Sequence, residues 1–444
     1  MVSSFYQLIF FLIAGIAVIV LLSVRFRVHP FFSLFLASFI VGSGVGFPIS
    51  EVVNAMKEGF GNIMKSLGLI VVLGTTLGVL LEHNGSTRVM ADTILKWVGN
   101  KYPALAMSIT GFIVGLPIFC DSGFIVLSGL NLSLARRTGT KVVVMAVSMA
   151  TGLYSVHCLV PPHPGAVTAA AVLDVDYGKL ILTGIVAAIP AMLIGYWYAS
   201  YAAKKIIITN ENEDIQSIKI NNSIQPSVLQ SFLPVVVPVL LIAVKSFLVT
   251  GTATPAWWQH FFSAAGDPVI ALSVGVLLAL VNSRPWKKEM IDQTLQEAAH
   301  KAGGILVIIG AGGAFGAVLA ATKIGQHFSE ALPLQQMGIV FPFLLTAILK
   351  TAQGSSTVAI ITAAYIVQPL LPSIGVSSPD DKLFCVLAMG AGSMMISHAN
   401  DAYFWVIARF EKIEMKTMLR VYSVATMLMG LITLLTVYLL SLMF

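Results

Sequence analysis

Hydrophobic runs long enough to cross a membrane recur from one end of the chain to the other. Examples are Phe5–Val24, Ile181–Ala199 and Met427–Phe444. An α-helix needs about 20 mainly apolar residues to cross the ~30 Å hydrocarbon core of a bilayer. The pattern therefore predicts an all-α polytopic membrane protein.

Two of the apolar segments share the same spacing of glycines. Ser66–Ser86 and Ala302–Gly325 align so that Gly74 matches Gly312, and a second glycine follows four residues later in each. Each segment is followed by two polar interruptions of apolar sequence. Duplicated halves with interrupted helices are typical of secondary transporters, whose binding sites are formed by the interruptions.

Composition and charge agree with this interpretation. The chain is 57% hydrophobic and 10% charged, against about 25% charged residues in a soluble domain. The formal net charge of +6 comes from short basic loops, as the positive-inside rule expects, so the predicted partner is the lipid bilayer and no nucleic acid. The three cysteines have no CxxC spacing, so no disulfide framework, metal site or cofactor is predicted.

The basic loops also predict an orientation. The loops expected on the cytoplasmic side contain Arg25, Arg136, Lys204, Arg284 and Arg409. With these loops inside, Ser66–Glu82 runs inward and Ala302–Ala321 runs outward. The chain is therefore predicted to form two inverted-topology repeats, residues 1–202 and 231–444, joined by a cytoplasmic linker at residues 203–230.

Short paired apolar segments predict one re-entrant hairpin in each half. Residues 103–135 carry the polar tip Phe119–Gly123, and residues 337–371 carry the tip Lys350–Thr357. An arm of about 15 residues rises about 22 Å, which is shorter than the ~30 Å membrane core. Irregular backbone at that depth must be buried in protein or line a cavity.

Each half also contains a predicted broken helix. Residues 141–173 are interrupted at His157–Gly165, where two adjacent prolines cannot continue a helix. Residues 383–410 are interrupted at Ser397–Asp401. With the two hairpin tips, these breaks make four interruptions that we expect to converge.

The interruptions supply the chemistry of a binding site. The N-terminus of a half-helix suits a carboxylate, because its backbone N–H groups are free and carry partial positive charge. Hydroxyl and amide side chains suit a hydroxylated ligand, which needs both donors and acceptors. The predicted substrate-binding residues are Asp121, Ser122, Gly123, His157, His163, Gln353, Gly354, Ser355, Ser356, Thr357, Ser397, His398 and Asn400.

Two acids are the predicted proton-coupling residues. A carboxylate at membrane depth is costly and indicates function, which points to Asp121 and Asp401; the alternative is that either acid caps a helix near water. For each histidine, a buried structural role is an equal alternative. Lys350 is a candidate partner for a substrate carboxylate, with snorkelling to the membrane surface as the alternative.

Four motifs resemble the gluconate:proton symporter family. They are GLPIFCDSGF (Gly115–Phe124), LVPPHPGAV (Leu159–Val167), AQGSSTVAIIT (Ala352–Thr362) and SHANDAYFW (Ser397–Trp405). The resemblance covers nearly the whole chain. It implies a permease, with no catalytic residues, that imports a small sugar acid together with a proton across a bacterial inner membrane. The oligomeric state stays open, and a homo-oligomer is one possibility.

The chain departs from the family pattern at one hairpin tip. Gluconate members usually carry FFEVGF where this chain has FCDSGF, whereas SHAND resembles the sugar-acid branch more than the D-serine branch. Gluconate, fructuronate, other aldonates, glycerate and D-serine therefore remain open as substrates, and so does sodium coupling. The alternatives from other classes are a passive channel and an intramembrane metalloenzyme, whose histidine spacing fits no HExxH-like template.

Overall fold

The computed structural model describes residues 5–26, 28–98, 102–204, 226–248, 257–282, 286–323, 337–398 and 401–443. Within these ranges the regular structure is entirely helical. Seven helical segments of the described chain are long and apolar enough to cross a membrane. The prediction of an all-α polytopic membrane protein is confirmed.

The described part of the first half contains nine helices. They are α1 Phe5–Val24, α2 Pro30–Gly44, α3 Ile49–His83, α4 Ser86–Val98, α5 Pro103–Gly115, α6 Cys120–Thr138, α7 Val142–Leu159, α8 Pro164–Leu173 and α9 Tyr177–Lys204. Most of the predicted linker, residues 205–225, lies outside the described part of the chain.

The described part of the second half is also helical. Its helices are α10 Val228–Leu248, α11 Trp257–Ala265, α12 Pro268–Asn282, α13 Lys288–Ala321, α14 Val340–Gln353, α15 Ser356–Val367, α16 Pro379–Met394, α17 Ala402–Phe410, α18 Met415–Met418 and α19 Val424–Ser441. A 3₁₀ segment, Gln368–Ile374, follows α15, and a π-helical segment, Leu419–Ser423, precedes α19.

The two glycine-rich helices α3 and α13 pack against each other in opposite directions. Gly59 lies against Gly313, where an added Cβ would come within 2.2 Å of the Gly313 carbonyl oxygen. Towards the other end of α3, His83 Nε2 lies 2.9 Å from a carboxylate oxygen of Glu297. This antiparallel pair agrees with inverted repeats, although the inversion of the complete halves stays a prediction.

The glycines of α3 allow the polar breaks of the first half to approach closely. An added Cβ at Gly74 would lie 3.1 Å from Pro162, and one at Gly78 would lie 2.9 Å from the Pro117 carbonyl oxygen. Small residues at helix interfaces permit such close contact. The glycine-rich helix therefore supports both interruptions that follow it in the sequence.

Three of the four helix interruptions are shorter than the polar segments that predicted them, whereas the second broken helix is interrupted from Met395 to Asp401, two residues earlier than predicted. Helix α6 begins at Cys120, so Asp121, Ser122 and Gly123 lie in its first turn. Helix α7 continues through His157 to Leu159. Polar residues are well tolerated in terminal helical turns, so polarity marks the position of a break without marking its length.

Candidate functional site

The half-helices α6, α8 and α17 meet at their N-terminal ends. The rings of Phe124 in α6 and Tyr403 in α17 are in edge contact, with centroids 6.1 Å apart. The N-cap residues of α6 and α8, Phe119 and His163, also have ring centroids 6.1 Å apart. The breaks of the two halves therefore form one continuous region.

Helix α15 joins the same region through α8. A Cβ added at Gly165, in the first turn of α8, would lie 3.4 Å from the Cα of Thr357 in the first turn of α15. Each helix N-terminus carries roughly half a positive charge. Four such ends in one region favour a bound anion.

The four N-termini differ in their caps. Neither Phe119, before α6, nor His163, before α8, makes a side-chain cap hydrogen bond. In contrast, Ser355 Oγ accepts a backbone N–H of α15 at 3.3 Å, and Asp401 Oδ1 accepts a backbone N–H of α17 at 3.0 Å. The helix ends of the first half are therefore open to a ligand, whereas those of the second half are capped by side chains of the protein.

Asp121 lies at one of the open ends. Its side chain is exposed, and Cys120 Sγ donates a long hydrogen bond of 3.8 Å to its Oδ1 atom. Neighbouring Ser122 is half-buried, while Gly123 is buried where an added Cβ would meet Leu153 at 2.7 Å. Asp121 is thus an accessible carboxyl group without an ion pair among the described residues.

Asp401 lies in a very different environment. Its Oδ2 atom is 2.7 Å from the ammonium of Lys350, and both side chains are buried. The same ammonium donates to the Gly354 carbonyl oxygen at 2.5 Å. The second hairpin and the second broken helix are therefore joined by a buried ion pair.

Further hydrogen bonds hold this pair in place. Ser397 Oγ donates a short hydrogen bond to Asp401 Oδ2, and the Ser397 backbone N–H donates to Thr426 Oγ1 at 3.0 Å. Ser423 Oγ donates to the Ser397 carbonyl oxygen. Ser423 belongs to the π-helical segment, a local geometry that often occurs at functional sites.

The two histidines of the first break form a chain of hydrogen bonds. His163 Nε2 lies 2.7 Å from the Gly115 carbonyl oxygen, so this nitrogen must donate. His157 Nδ1 lies 3.2 Å from His163 Nδ1, and Thr357 Oγ1 lies 3.4 Å from His157 Nε2. All three contacts are satisfied when both rings are neutral and Thr357 donates. The chain thus connects α5, the first break and the second hairpin tip.

The remaining predicted residues cluster at the second hairpin tip and the second break. His398 Nε2 lies 3.0 Å from the Thr351 carbonyl oxygen, which ties the second break to α14. Gly354 ends α14 with a positive φ of 84°, and Ser356 is buried at the start of α15. Asn400 lies outside the described residues.

The side-chain amide of Gln353 is buried at this tip without hydrogen bonds to described residues. Its Nε2 and Oε1 atoms are both buried without a hydrogen-bond partner in the described part of the chain. Leaving a buried polar group unpaired costs about 1–3 kcal/mol. Its amide therefore offers one unused donor group and one unused acceptor to a ligand.

A metal site finds no support in the described ranges. They contain no cluster of three or more His, Cys, Asp or Glu side chains placed to hold a metal ion. In addition, the ring nitrogens of His157 and His163 face protein partners. These contacts give the two histidines a role in connecting helices.

The sequence reasoning missed the Lys350–Asp401 pair and its supports, Ser423 and Thr426. One signal was present in the sequence. A buried lysine needs a counter-charge, and the two residues are opposite charges in the two interruptions of the same half. The roles of Ser423 and Thr426 had no such signal, because isolated hydroxyl residues are common in membrane helices.

Comparisons with known proteins also indicate a transporter. The profile of the GntP family permeases matches residues 6–443. A gluconate permease of Pseudomonas aeruginosa is 33% identical, with 98% of each chain covered. A D-serine transporter of Escherichia coli O6:H1 is 29% identical, with 97% of each chain covered. The solved structure of the Neisseria gonorrhoeae efflux pump MtrF has a TM-score of 0.65 at 15% identity, covering 88% of this chain and 83% of its own, and therefore shares the fold.

Proposed function

The chain belongs to the GntP family of permeases, and we propose that it imports gluconate or a related small sugar acid by proton symport across a bacterial inner membrane. Relatives with near-complete coverage are named permeases or transporters, so the family is one of transporters and not of enzymes. The substrate class and the coupling ion are the parts of this proposal that need testing.

One observation carries the proposal: an accessible carboxyl group lies at an open helix N-terminus that suits an anion. Asp121 is exposed in the first turn of α6, which has no side-chain cap. Ionised Asp121 would repel a substrate carboxylate, whereas protonated Asp121 would leave the helix end free to bind it. A proton and an anion would then bind together, which is the requirement for symport.

Polar groups beside the open ends support a hydroxylated substrate. The unpaired amide of Gln353 supplies a donor and an acceptor. Ser122 and Thr357 are half-buried and add hydroxyl groups. Each substrate hydroxyl also donates and accepts, so these residues match a sugar acid better than a plain fatty acid.

The ion pair of the second half favours protons over sodium as the coupling ion. In transporters, unwound carbonyls and half-helix C-termini commonly coordinate sodium. Here the Lys350 ammonium contacts the Gly354 carbonyl oxygen at the end of α14 and the Asp401 carboxylate. A covalently attached cation thus already contacts the kind of oxygen atoms that a sodium ion would need as ligands.

The proposed cycle follows from these groups. Asp121 takes a proton from the outside, and the substrate carboxylate then binds at the open ends of α6 and α8. The hairpins and broken helices move relative to the supporting pair α3 and α13. Moving the proton with the anion avoids carrying a bare carboxylate through hydrocarbon, which is strongly unfavourable. Lower proton activity inside then favours release.

Uptake into proteoliposomes tests the proposal. We expect radiolabelled gluconate to accumulate when the outside is more acidic than the inside, and a protonophore to abolish accumulation. Replacing sodium by choline at fixed pH should have no effect. Competition by other sugar acids, glycerate and D-serine ranks the substrates. Accumulation that follows sodium and ignores pH would overturn proton coupling, and competition by D-serine alone would overturn the sugar-acid assignment.

A further inference from the structure

A second buried carboxyl group lies away from the central region. Glu411 ends α17 and is 4% exposed. The side chain of Asn131 in α6 is fully buried, and its Nδ2 donates to Glu411 Oε1 at 2.9 Å. This contact bridges the second arm of the first hairpin and the second broken helix.

The remaining atoms of this pair are unsatisfied. Glu411 Oε2 and Asn131 Oδ1 are buried without a hydrogen-bond partner in the described ranges. An ionised carboxylate only accepts hydrogen bonds, whereas a protonated one also donates. An amide offers a donor and an acceptor, so the two side chains are chemically complementary when Glu411 carries a proton.

Among the described residues, no cation forms an ion pair with Glu411. The helices packed against α17 are α6, α7 and α18. The titratable or charged groups that they and the adjoining loop carry are Cys120, Asp121, Arg136, Arg137, Tyr154, His157, Cys158, Arg409, Lys412, Glu414 and Lys416. None of these forms an ion pair with Glu411 in the described structure. An isolated buried charge is strongly unfavourable, which again favours the protonated acid.

The position of the pair relates it to the central region. Helices α6 and α17 pack together, with Asp121 and Asp401 at their N-terminal ends. Asn131 and Glu411 each lie ten residues further along, which corresponds to about 15 Å of helix. The exposed basic residues Arg136 and Arg409 lie at this end of the two helices, the end predicted to face the cytoplasm.

We propose that Glu411 and Asn131 form a second proton-binding site, on the cytoplasmic side, which holds α6 and α17 together when Glu411 is protonated. Separation of the two helices at this end exposes Glu411 to water, where it releases its proton. Its role in the cycle rests on the proposed proton symport, in which inward opening and proton release occur together. The protonation itself is a separate, directly measurable property.

Infrared spectroscopy of the purified protein tests the protonation without any substrate. At neutral pH, we expect a protonated-carboxyl absorption in the wild type that is lost in Glu411→Gln, which keeps an acceptor for Asn131. The matched control is Glu414→Gln, an exposed acid three residues away, which should leave the absorption unchanged. An unchanged absorption in Glu411→Gln would overturn the proposal.

Two further measurements test the same proposal, and the first needs no variant, so it stays decisive if Glu411→Gln folds poorly. Wild-type protein labelled with ¹³C-glutamate should show a shifted protonated-carboxyl band, because Glu411 is the buried glutamate of the described chain; absence of that band would contradict the proposal. In addition, the thermal midpoint of the wild type should fall from neutral to alkaline pH more than that of Glu411→Gln. Since neither measurement uses transport, both can succeed or fail independently of proton-driven uptake.

Discussion

The two halves of the molecule use the same kind of helix interruption in different ways. In the first half, the N-termini of α6 and α8 have no side-chain caps, and Asp121 is exposed beside them. In the second half, Ser355 and Asp401 cap the corresponding helix ends, and Asp401 is paired with Lys350. Under the proposed function, this difference corresponds to a division of labour, in which the first half receives the anion and the proton and the second half carries a buried charge pair.

The largest expected effect comes from breaking the buried charge pair. Lys350→Met leaves the Asp401 carboxylate buried without its counter-charge, which typically costs about 3–5 kcal/mol. We expect a lower thermal midpoint and a smaller yield of folded protein. The double variant Lys350→Met/Asp401→Asn removes both charges and should recover part of the loss. Equal stability of Lys350→Met and the wild type would contradict the role assigned to the pair.

A smaller effect is expected where α3 supports the first hairpin. The Cβ of Gly78→Ala would lie 2.9 Å from the Pro117 carbonyl oxygen, and overpacking of this kind costs about 1–3 kcal/mol. The measurement is the thermal midpoint together with substrate-dependent stabilisation by gluconate. The control is Gly68→Ala in the same helix, where an added Cβ meets no atom within 4 Å. If both variants behave alike, the close approach has no energetic importance.

The smallest effect is expected at a capped helix end of the second half. Ser355→Ala removes the side-chain acceptor at the N-terminus of α15, and loss of such a cap costs about 1 kcal/mol. We expect a modest decrease in thermal midpoint, with proton-driven accumulation preserved. Loss of accumulation at unchanged stability would instead give Ser355 a direct role in substrate binding, and would weaken the contrast between the halves.

The sequence predicted the fold class and the positions of the helix interruptions better than the contacts between them. Apolar run lengths and proline positions depend on local physics, so helices such as Phe5–Val24 were predicted with their observed bounds. Three of the four break lengths were overestimated, because residues such as Asp121 and Gln353 fit within terminal helical turns. The pairing of Lys350 with Asp401 depends on how α14 and the second break pack, which local sequence does not encode.

Local sequence likewise does not encode the contacts of His157, His163 and Glu411. Adjacent prolines predicted the break that contains His157 and His163, but the hydrogen bonds of these two rings depend on Gly115 and Thr357. The contact between Asn131 and Glu411 joins residues far apart in the chain. Neither residue stands out in the sequence, because an acid beside a basic loop usually lies at the solvated surface.

Uptake by Asp121→Asn tests the central claim most directly. Asparagine keeps the size of the side chain at the open end of α6 but carries no exchangeable carboxyl proton. We predict that gluconate still stabilises the variant thermally, that accumulation driven by external acid falls at least about tenfold, corresponding to about 1.4 kcal/mol, and that the remaining exchange no longer depends on external pH. Proton-driven accumulation at the wild-type level and with the wild-type pH dependence would contradict the account.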